Sequence, residues 1–304
     1  MTGVLLVDKP KGLTSHDVVD KIRRATNMRR VGHTGTLDPA ATGLLILCLG
    51  KATRLSEHFT KLSKEYEGVM RLGVITDSYD LDGDFIEERP EEWPTSQEVL
   101  DPLTHEELQE RCNKYTGTIE QIPPMVSAVK VGGERLYKKA RKGETVERKP
   151  RTATVDEFKV LNYNAPDADL RVRCTSGTYV RSLCHDVGQD LQCGAVLATL
   201  RRTAVGSHHI NNALPLDQLT DEKSVANHLL PMGEALDLPV VTLHAAGRNI
   251  VSTGGTITND DITTKCPIRD GWIQVKDNDD KLLALGMVEA TAIGVHIHPK
   301  RVFI

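Results

Sequence analysis

The stretch Gly32-His33-Thr34-Gly35-Thr36-Leu37-Asp38-Pro39-Ala40-Ala41-Thr42-Gly43 gathers three glycines, one histidine and one carboxylate into twelve residues. The apolar run Leu44-Leu45-Ile46-Leu47-Cys48-Leu49 follows at once and reads as a buried strand. Glycine lets backbone approach a ligand closely, and Pro39 fixes the chain just beyond Asp38. A carboxylate held on a rigid turn beside a core strand can act as a nucleophile or as a base. The alternative is an Asx turn, in which the Asp38 side chain only accepts a local backbone hydrogen bond. Residue types alone leave both open.

Other polar blocks punctuate the chain. Asp8-Lys9-Pro10-Lys11-Gly12-Leu13-Thr14-Ser15 precedes the Asp38 loop, which closes with Gly50-Lys51-Ala52-Thr53. Lys64-Glu65-Tyr66 and Thr76-Asp77-Ser78-Tyr79-Asp80 come next, then Gln121-Ile122-Pro123-Pro124 with Ser127-Ala128-Val129-Lys130. Ser176-Gly177-Thr178-Tyr179-Val180-Arg181-Ser182-Leu183 and Leu200-Arg201-Arg202-Thr203 complete the series. In this order, over residues 4–206, the blocks resemble the TruB family of tRNA pseudouridine synthases.

That resemblance implies a reaction and a set of roles. A uridine in the T arm of tRNA, the family's position 55, is isomerised to pseudouridine by a stand-alone enzyme. The C1′–N1 bond breaks, the uracil turns, and C5 bonds to C1′. This rearrangement is redox-neutral and hydrolyses nothing, so it requires neither metal nor organic cofactor. Asp38 is implied as the catalytic carboxylate, Arg181 as its paired cation, and Tyr66 as the ring that stacks on the target base. His33, Tyr179 and Leu200 match positions that contact the nucleotide. The segment 121–151 resembles a thumb loop that folds over RNA, with Arg141, Lys142, Arg148 and Lys149 on phosphates. Read without the family, Tyr66 and Leu200 are packing residues and Arg181 a surface arginine on a helix's first turn, where a cation is disfavoured.

Three other motifs fail. Gly43 to Lys51 lacks the P-loop spacing, and Ala52 stands where a hydroxyl is needed. Asp80-Leu81-Asp82-Gly83-Asp84 begins like a calcium loop, but Phe85 occupies the position of the required glycine. His296 and His298 share a strand face without a third ligand. An RNA-binding chaperone or a guide-RNA-dependent relative is the competing function; the basic insertion and the intact Asp38 loop favour the stand-alone enzyme.

The formal charge of −4 does not advertise a nucleic-acid partner. Its distribution is uneven: residues 76–101 hold ten acidic residues and one arginine, while 130–151 hold nine Lys or Arg against three Glu. Phosphate attraction acts over about 8 Å at physiological salt, so a local basic surface can outweigh the sum. Six cysteines without Cys-x-x-Cys spacing read as reduced thiols of a cytoplasmic protein. No segment has the length and apolarity of a signal peptide or membrane span, and the chain is expected to be a monomer.

The elements that position these residues follow from periodicity. Val4–Val7 reads as a strand, Ser15 as the cap of a helix to about Thr26, and 52–62 as helical. Tyr66–Leu72 reads as a strand, Thr104–Tyr115 as a helix, and Gly132-Gly133 as a hairpin turn. Strands are expected near 152–162, 170–174 and 195–202, with a helix from about Thr178 whose stripe is Val180, Leu183, Val187 and Leu191. Residues 215–230 read as mainly helical. The fold class is α+β, a pseudouridine-synthase domain over 1–235 with a central mixed, largely antiparallel sheet and flanking helices. Short alternating segments over 236–304 resemble a PUA domain, a small all-β RNA-binding barrel. Removing that unit is expected to leave a soluble catalytic domain.

Overall fold

The computed structural model describes residues 1–86, 90, 93–127, 130–131, 133–136, 146–245, 247–264, 270–291 and 294–304. Its strands are β1 (Gly3–Lys9), β2 (Val31–His33), β3 (Thr42–Leu49), β4 (Lys64–Leu72), β5 (Gly117–Gln121), β6 (Lys130–Val131), β7 (Glu134–Arg135) and β8 (Arg151–Asn164). They continue with β9 (Asp167–Cys174), β10 (Ala195–Val205), β11 (His208–His209), β12 (Leu214–Pro215), β13 (Val240–Thr242), β14 (Gly271–Lys276), β15 (Leu282–Thr291) and β16 (Gly294–Val302).

The main sheet runs β12-β1-β3-β10-β4-β9-β8-β5, with β2 beside β3 and β11 beside β10. Among the described strands of this sheet only β1/β12 and β3/β10 pair in parallel, so the sheet is mixed and largely antiparallel. Its two halves are built differently. Leu44 to Leu49 on β3 are fully buried, because both faces of β1 and β3 are covered. On β9 burial alternates: Ala168, Leu170, Val172 and Cys174 face a helix-covered core and the residues between them face outward.

Helix Ser15–Thr26 covers one face of β1 and β3 through Val18, Val19 and Ile22. Its cap is Thr14, not Ser15, because Asp17 falls at the third helical position from Thr14 and closes a capping box. Ser15 is buried instead, its hydroxyl donating to Leu37 O and accepting from Leu37 N. Helix Val180–Asp190 covers the other half through Val180, Leu183, Cys184 and Val187. Residues 215–230 hold less helix than their pattern suggests, a 3-10 turn at Leu216–Gln218 and a helix at Glu222–Asn227.

Beyond residue 236, β13-β14-β15-β16 form a separate sheet with helix Gly247–Thr253 packed against it. Among the described residues this sheet is open, not a closed barrel. Single bridges Ile257–Ile297 and Leu243–Ile262 let the 257–262 segment touch both edges. The unit is not detached: Leu236, Leu282, Leu285 and Phe303 share a core with Val4, Leu6, Leu44, Ile46 and Phe59. No helix among the described residues is long and apolar enough to cross a membrane.

Candidate active site

The antiparallel ribbon of β2 and β3 presents the loop that carries Asp38. This loop is tied down along its length. Thr34 N donates to Ile46 O at 3.1 Å, Ala41 N to Asp38 O at 3.1 Å, and Gly12 N to Pro39 O at 2.8 Å. Leu37 N donates to Ser15 Oγ at 2.8 Å, and Arg202 Nη2 to Gly35 O at 3.2 Å. Gly43 is required where the loop re-enters the sheet: its φ is +105°, and a Cβ would lie 2.3 Å from Arg202 O. A carboxylate on so rigid a base keeps its position, while the Asp38 side chain is 48 % exposed.

That carboxylate faces Arg181, whose Nη2 lies 2.9 Å from Asp38 Oδ2. Arg181 sits on the first turn of helix Val180–Asp190 with its side chain only 6 % exposed. Its guanidinium has three further acceptors: Asp80 Oδ2 at 3.2 Å, Ser78 O at 3.1 Å and Val126 O at 2.9 Å. A planar fork is suited to such a set, and two carboxylates offset the unfavourable place of a cation near a helix N-terminus. The helix start is itself clamped, since Gln121 accepts from Tyr179 N and donates to Tyr179 O. Burial raises the Asp80 carboxyl above its usual range, while hydrogen bonds from Ser78 and the Asp82 amide, with the Arg181 charge, pull it back.

Tyr66 on β4 pairs in register with Arg202 on β10. Burial pushes its phenol upward, against the pull of the nearby Arg202 charge. Arg202 is 2 % exposed and also donates to Leu44 O at 2.7 Å. Beneath the loop, fully buried Lys9 donates to Leu13 O at 2.7 Å, Pro10 O at 3.0 Å and Pro39 O at 3.4 Å. Burial lowers Lys9 to about 8, with Asp38 pulling it the other way. His33 ends β2; burial lowers its imidazole, and its Nδ1 is buried without a hydrogen-bond partner among the described residues. Tyr179 is half-buried beside Asp38 and Arg181, its phenol raised by burial. Leu200 lines an open cavity of about 540 Å³ where β3 and β10 part, with Lys11, Ala40 and Thr42 on the loop side and Gly68 and Leu170 opposite.

Known proteins carry the same arrangement of segments. The model of the TruB family pseudouridylate synthase N-terminal domain matches residues 23–180. That of the tRNA pseudouridylate synthase B C-terminal domain matches residues 181–237. The chain belongs to the TruB family. It is 50 % identical to the tRNA pseudouridine synthase B of Opitutus terrae over 83 % of this chain and 97 % of that protein. It is 40 % identical to that of Dehalococcoides mccartyi over 100 % of this chain and 97 % of that protein. Among solved structures it resembles an H/ACA RNP bound to a substrate RNA containing 2'-deoxyuridine, with TM-score 0.74 and 26 % identity over 99 % of this chain and 85 % of that one. A Cbf5-Nop10-Gar1 complex gives TM-score 0.73 and 28 % identity over 99 % and 85 %.

On this TruB chain Asp38, Arg181, Tyr66 and Tyr179 converge, although they come from three separate elements, Tyr179 standing at the N-cap of the helix that carries Arg181. The thumb-like residues divide. Arg148 is half-buried and donates to Pro123 O at 3.1 Å, while Lys149 is exposed. Arg141 and Lys142 lie outside the described residues. Sequence reasoning missed three groups: Asp80, Arg202 and Lys9. Asp80 had a usable signal, since it ends the block Thr76-Asp77-Ser78-Tyr79-Asp80 within the acidic stretch that had no assigned purpose. Arg202 and Lys9 also stand in quoted blocks, but nothing in a strand pattern distinguishes a buried cation from an exposed one.

Proposed function

We propose that this chain isomerises uridine to pseudouridine in the T arm of tRNA, at the family's position 55, as a stand-alone enzyme with Asp38 as its catalytic carboxylate. The observation that supports this most is a half-exposed Asp38 paired with a buried Arg181 that three further acceptors hold in place. Arg181 sets a fixed positive charge 2.9 Å from the Asp38 carboxylate, at the place a bound RNA would close off from water. Asp38 then acts on the ribose or base, as nucleophile or base, while Tyr66 and Leu200 line the extruded uracil. The C1′–N1 bond breaks, C1′ bonds to C5, and the C5 proton is released as N1 gains one. Extrusion of the nucleotide costs a few kcal/mol, offset by stacking and phosphate contacts. His33 and Tyr179 contact the nucleotide.

The reading divides the chain into a catalytic domain, 1–235, and a PUA-like RNA-binding unit, 236–304. It makes the thumb-like segment 121–151 a grip on phosphates through Arg141, Lys142, Arg148 and Lys149. It also places a monomer in the cytoplasm, in keeping with the free, buried Cys48, Cys112, Cys174, Cys184 and Cys193.

The test is tritium release from C5-labelled uridine in a minimal T-arm stem-loop, with purified protein alone. Release at catalytic turnover is expected; tight binding of the RNA without release would sink the proposal. Replacing the four thumb residues by Ala should raise KM for the stem-loop far more than it lowers kcat. Each lost contact should flatten the log–log salt dependence of binding by about 0.7. An unchanged salt slope would remove the thumb assignment and leave Asp38 standing.

A further inference from the structure

Tyr79 and His185 join the two elements that hold Arg181. Their rings are stacked, with centroids 3.8 Å apart and planes 13° apart. Tyr79 lies between two acceptors of the guanidinium, the Ser78 carbonyl and the Asp80 carboxylate. His185 lies four residues beyond Arg181 in helix Val180–Asp190, and so on the same face one turn on. The stack therefore bridges loop and helix directly beside the guanidinium.

The backbone at Tyr79 shows why a bridge is needed. Its φ is +65°, a left-handed conformation that a bulky residue adopts only when its surroundings enforce it. Leu197 N donates to Tyr79 O at 3.0 Å, and Thr76 Oγ1 donates to Asp80 O at 2.7 Å. These bonds shape the turn and attach it to β10. Across to the helix the turn is joined by the Arg181 contacts to Ser78 and Asp80 and, beside them, by the ring pair. We propose that the Tyr79–His185 stack is a positioning pair, docking the 78–80 turn on the helix so that Ser78 and Asp80 aim Arg181 at Asp38. This rests on the functional reading above. Burial and nearby Arg148 lower the His185 imidazole to about 4, so the ring is neutral under assay conditions and the pair acts through its faces.

The test compares kcat and KM for tritium release from the T-arm stem-loop with thermal unfolding of the same variants. Tyr79→Gly accepts the left-handed turn but removes the ring, which separates stacking from backbone strain. It should lower kcat about tenfold, the scale of one aromatic pair, with KM within about twofold. Tyr79→Phe keeps the face and should restore wild-type kcat. Tyr79→Gly combined with His185→Ala should be no slower than the worse single variant, because both remove one interaction. Wild-type kcat in Tyr79→Gly, or fully multiplicative effects in the double variant, would overturn the pair. Should Tyr79→Gly fail to fold, His185→Leu decides by the same criteria: a tenfold fall in kcat supports the pair and a wild-type value overturns it. No tritium release by the wild type would refute the functional reading itself, whereas an active wild type matched by these variants refutes only the positioning role.

Discussion

Arg201 and Arg202 are neighbours on β10, and the pleat sends them to opposite faces of one sheet. Arg202 is buried and holds the carbonyls of Gly35 and Leu44, so it braces the Asp38 loop. Arg201 is 43 % exposed and forks onto the Asp8 carboxylate at 2.7 and 3.1 Å. Its face also carries the exposed pairs Arg71–Asp167 and Arg171–Glu67. The Arg202 face instead gathers Lys9 and Arg181, buried and held by several acceptors each, around Asp38. An exposed pair contributes roughly 0.2–1 kcal/mol, while each buried polar group left without a partner costs about 1–3 kcal/mol. Cations on the two faces are thus chemically alike and energetically unlike: one set is optional for folding, the other fixes a geometry.

The largest effect should come where the Arg201 face is itself covered. Leu236, Leu282, Leu285 and Phe303 close the core over β1 and β3 from that side. Lys51 Nζ reaches Phe303 O at 2.9 Å, and Arg301 pairs with Glu57 at 2.9 Å. Deleting residues 236–304 removes these four side chains, worth about 6 kcal/mol or more together. The truncated chain should lose cooperative thermal unfolding or aggregate, contrary to what the sequence alone suggests. A soluble fragment melting like the full chain would show the shared core to be dispensable.

Next comes Asp38 itself. Asp38→Asn keeps size and leaves Arg181 bound to Asp80, Ser78 and Val126, so fold and RNA binding should persist. Turnover should fall by at least about 10³-fold, the upper range for a positioned acid–base group. Activity within about tenfold of wild type, a barrier change near 1.4 kcal/mol, would show that another group does the chemistry. Arg181→Lys should be impaired by about 10²-fold, since a point charge cannot serve four acceptors as a fork does. A wild-type rate there would make the pairing incidental.

The adjacent arginines test the contrast directly. Arg202→Met strands the Gly35 and Leu44 carbonyls and should lower stability by about 3 kcal/mol in urea unfolding. Arg201→Met should change it by less than ~1 kcal/mol. Equal losses would erase the distinction between the faces.

Much of this was legible in the sequence, for identifiable reasons. The run Leu44–Leu49 announces a strand buried on both faces, and alternation in β9 announces one buried on a single face. Motif order led to Asp38, Arg181, Tyr66 and Tyr179, which the fold then brings together. The rest depends on contacts between distant segments. Lys9 meets Pro39 and Arg202 meets Gly35 only once the sheet is assembled. Asp80 was hidden in a loop whose charge suggested solvent, because composition does not reveal which of ten acidic residues turns inward. At Thr14 and Ser15 both hydroxyls suit a cap, and Asp17 decides between them. Nor does alternation distinguish a closed barrel from the open β13–β16 sheet, since closure depends on which edges meet.

The smallest effect is a pH slope that reports the buried face. Folding lowers Lys9 from its ordinary value of 10.5 to about 8. Between those values the unfolded chain holds a proton that the folded chain has released, so stability rises with pH there; below about 8 both states are charged and the burial penalty is full. Lys64, also lowered to about 8 by burial, adds the same trend. Buried thiols oppose it above their ordinary value of 9.0, because Cys48 and Cys112 are pushed up to about 12 and Cys174 to about 11. The wild-type curve alone is therefore ambiguous, but its difference from Lys9→Met is not. Between about pH 8 and 10 the wild type should gain stability relative to Lys9→Met, at a rate approaching ~1.4 kcal/mol per pH unit. Parallel curves from urea melts would mean that Lys9 stays charged beneath the Asp38 loop at alkaline pH. Its three carbonyl acceptors would then compensate burial fully, and the Arg202 face would tolerate charge as readily as the exposed face does.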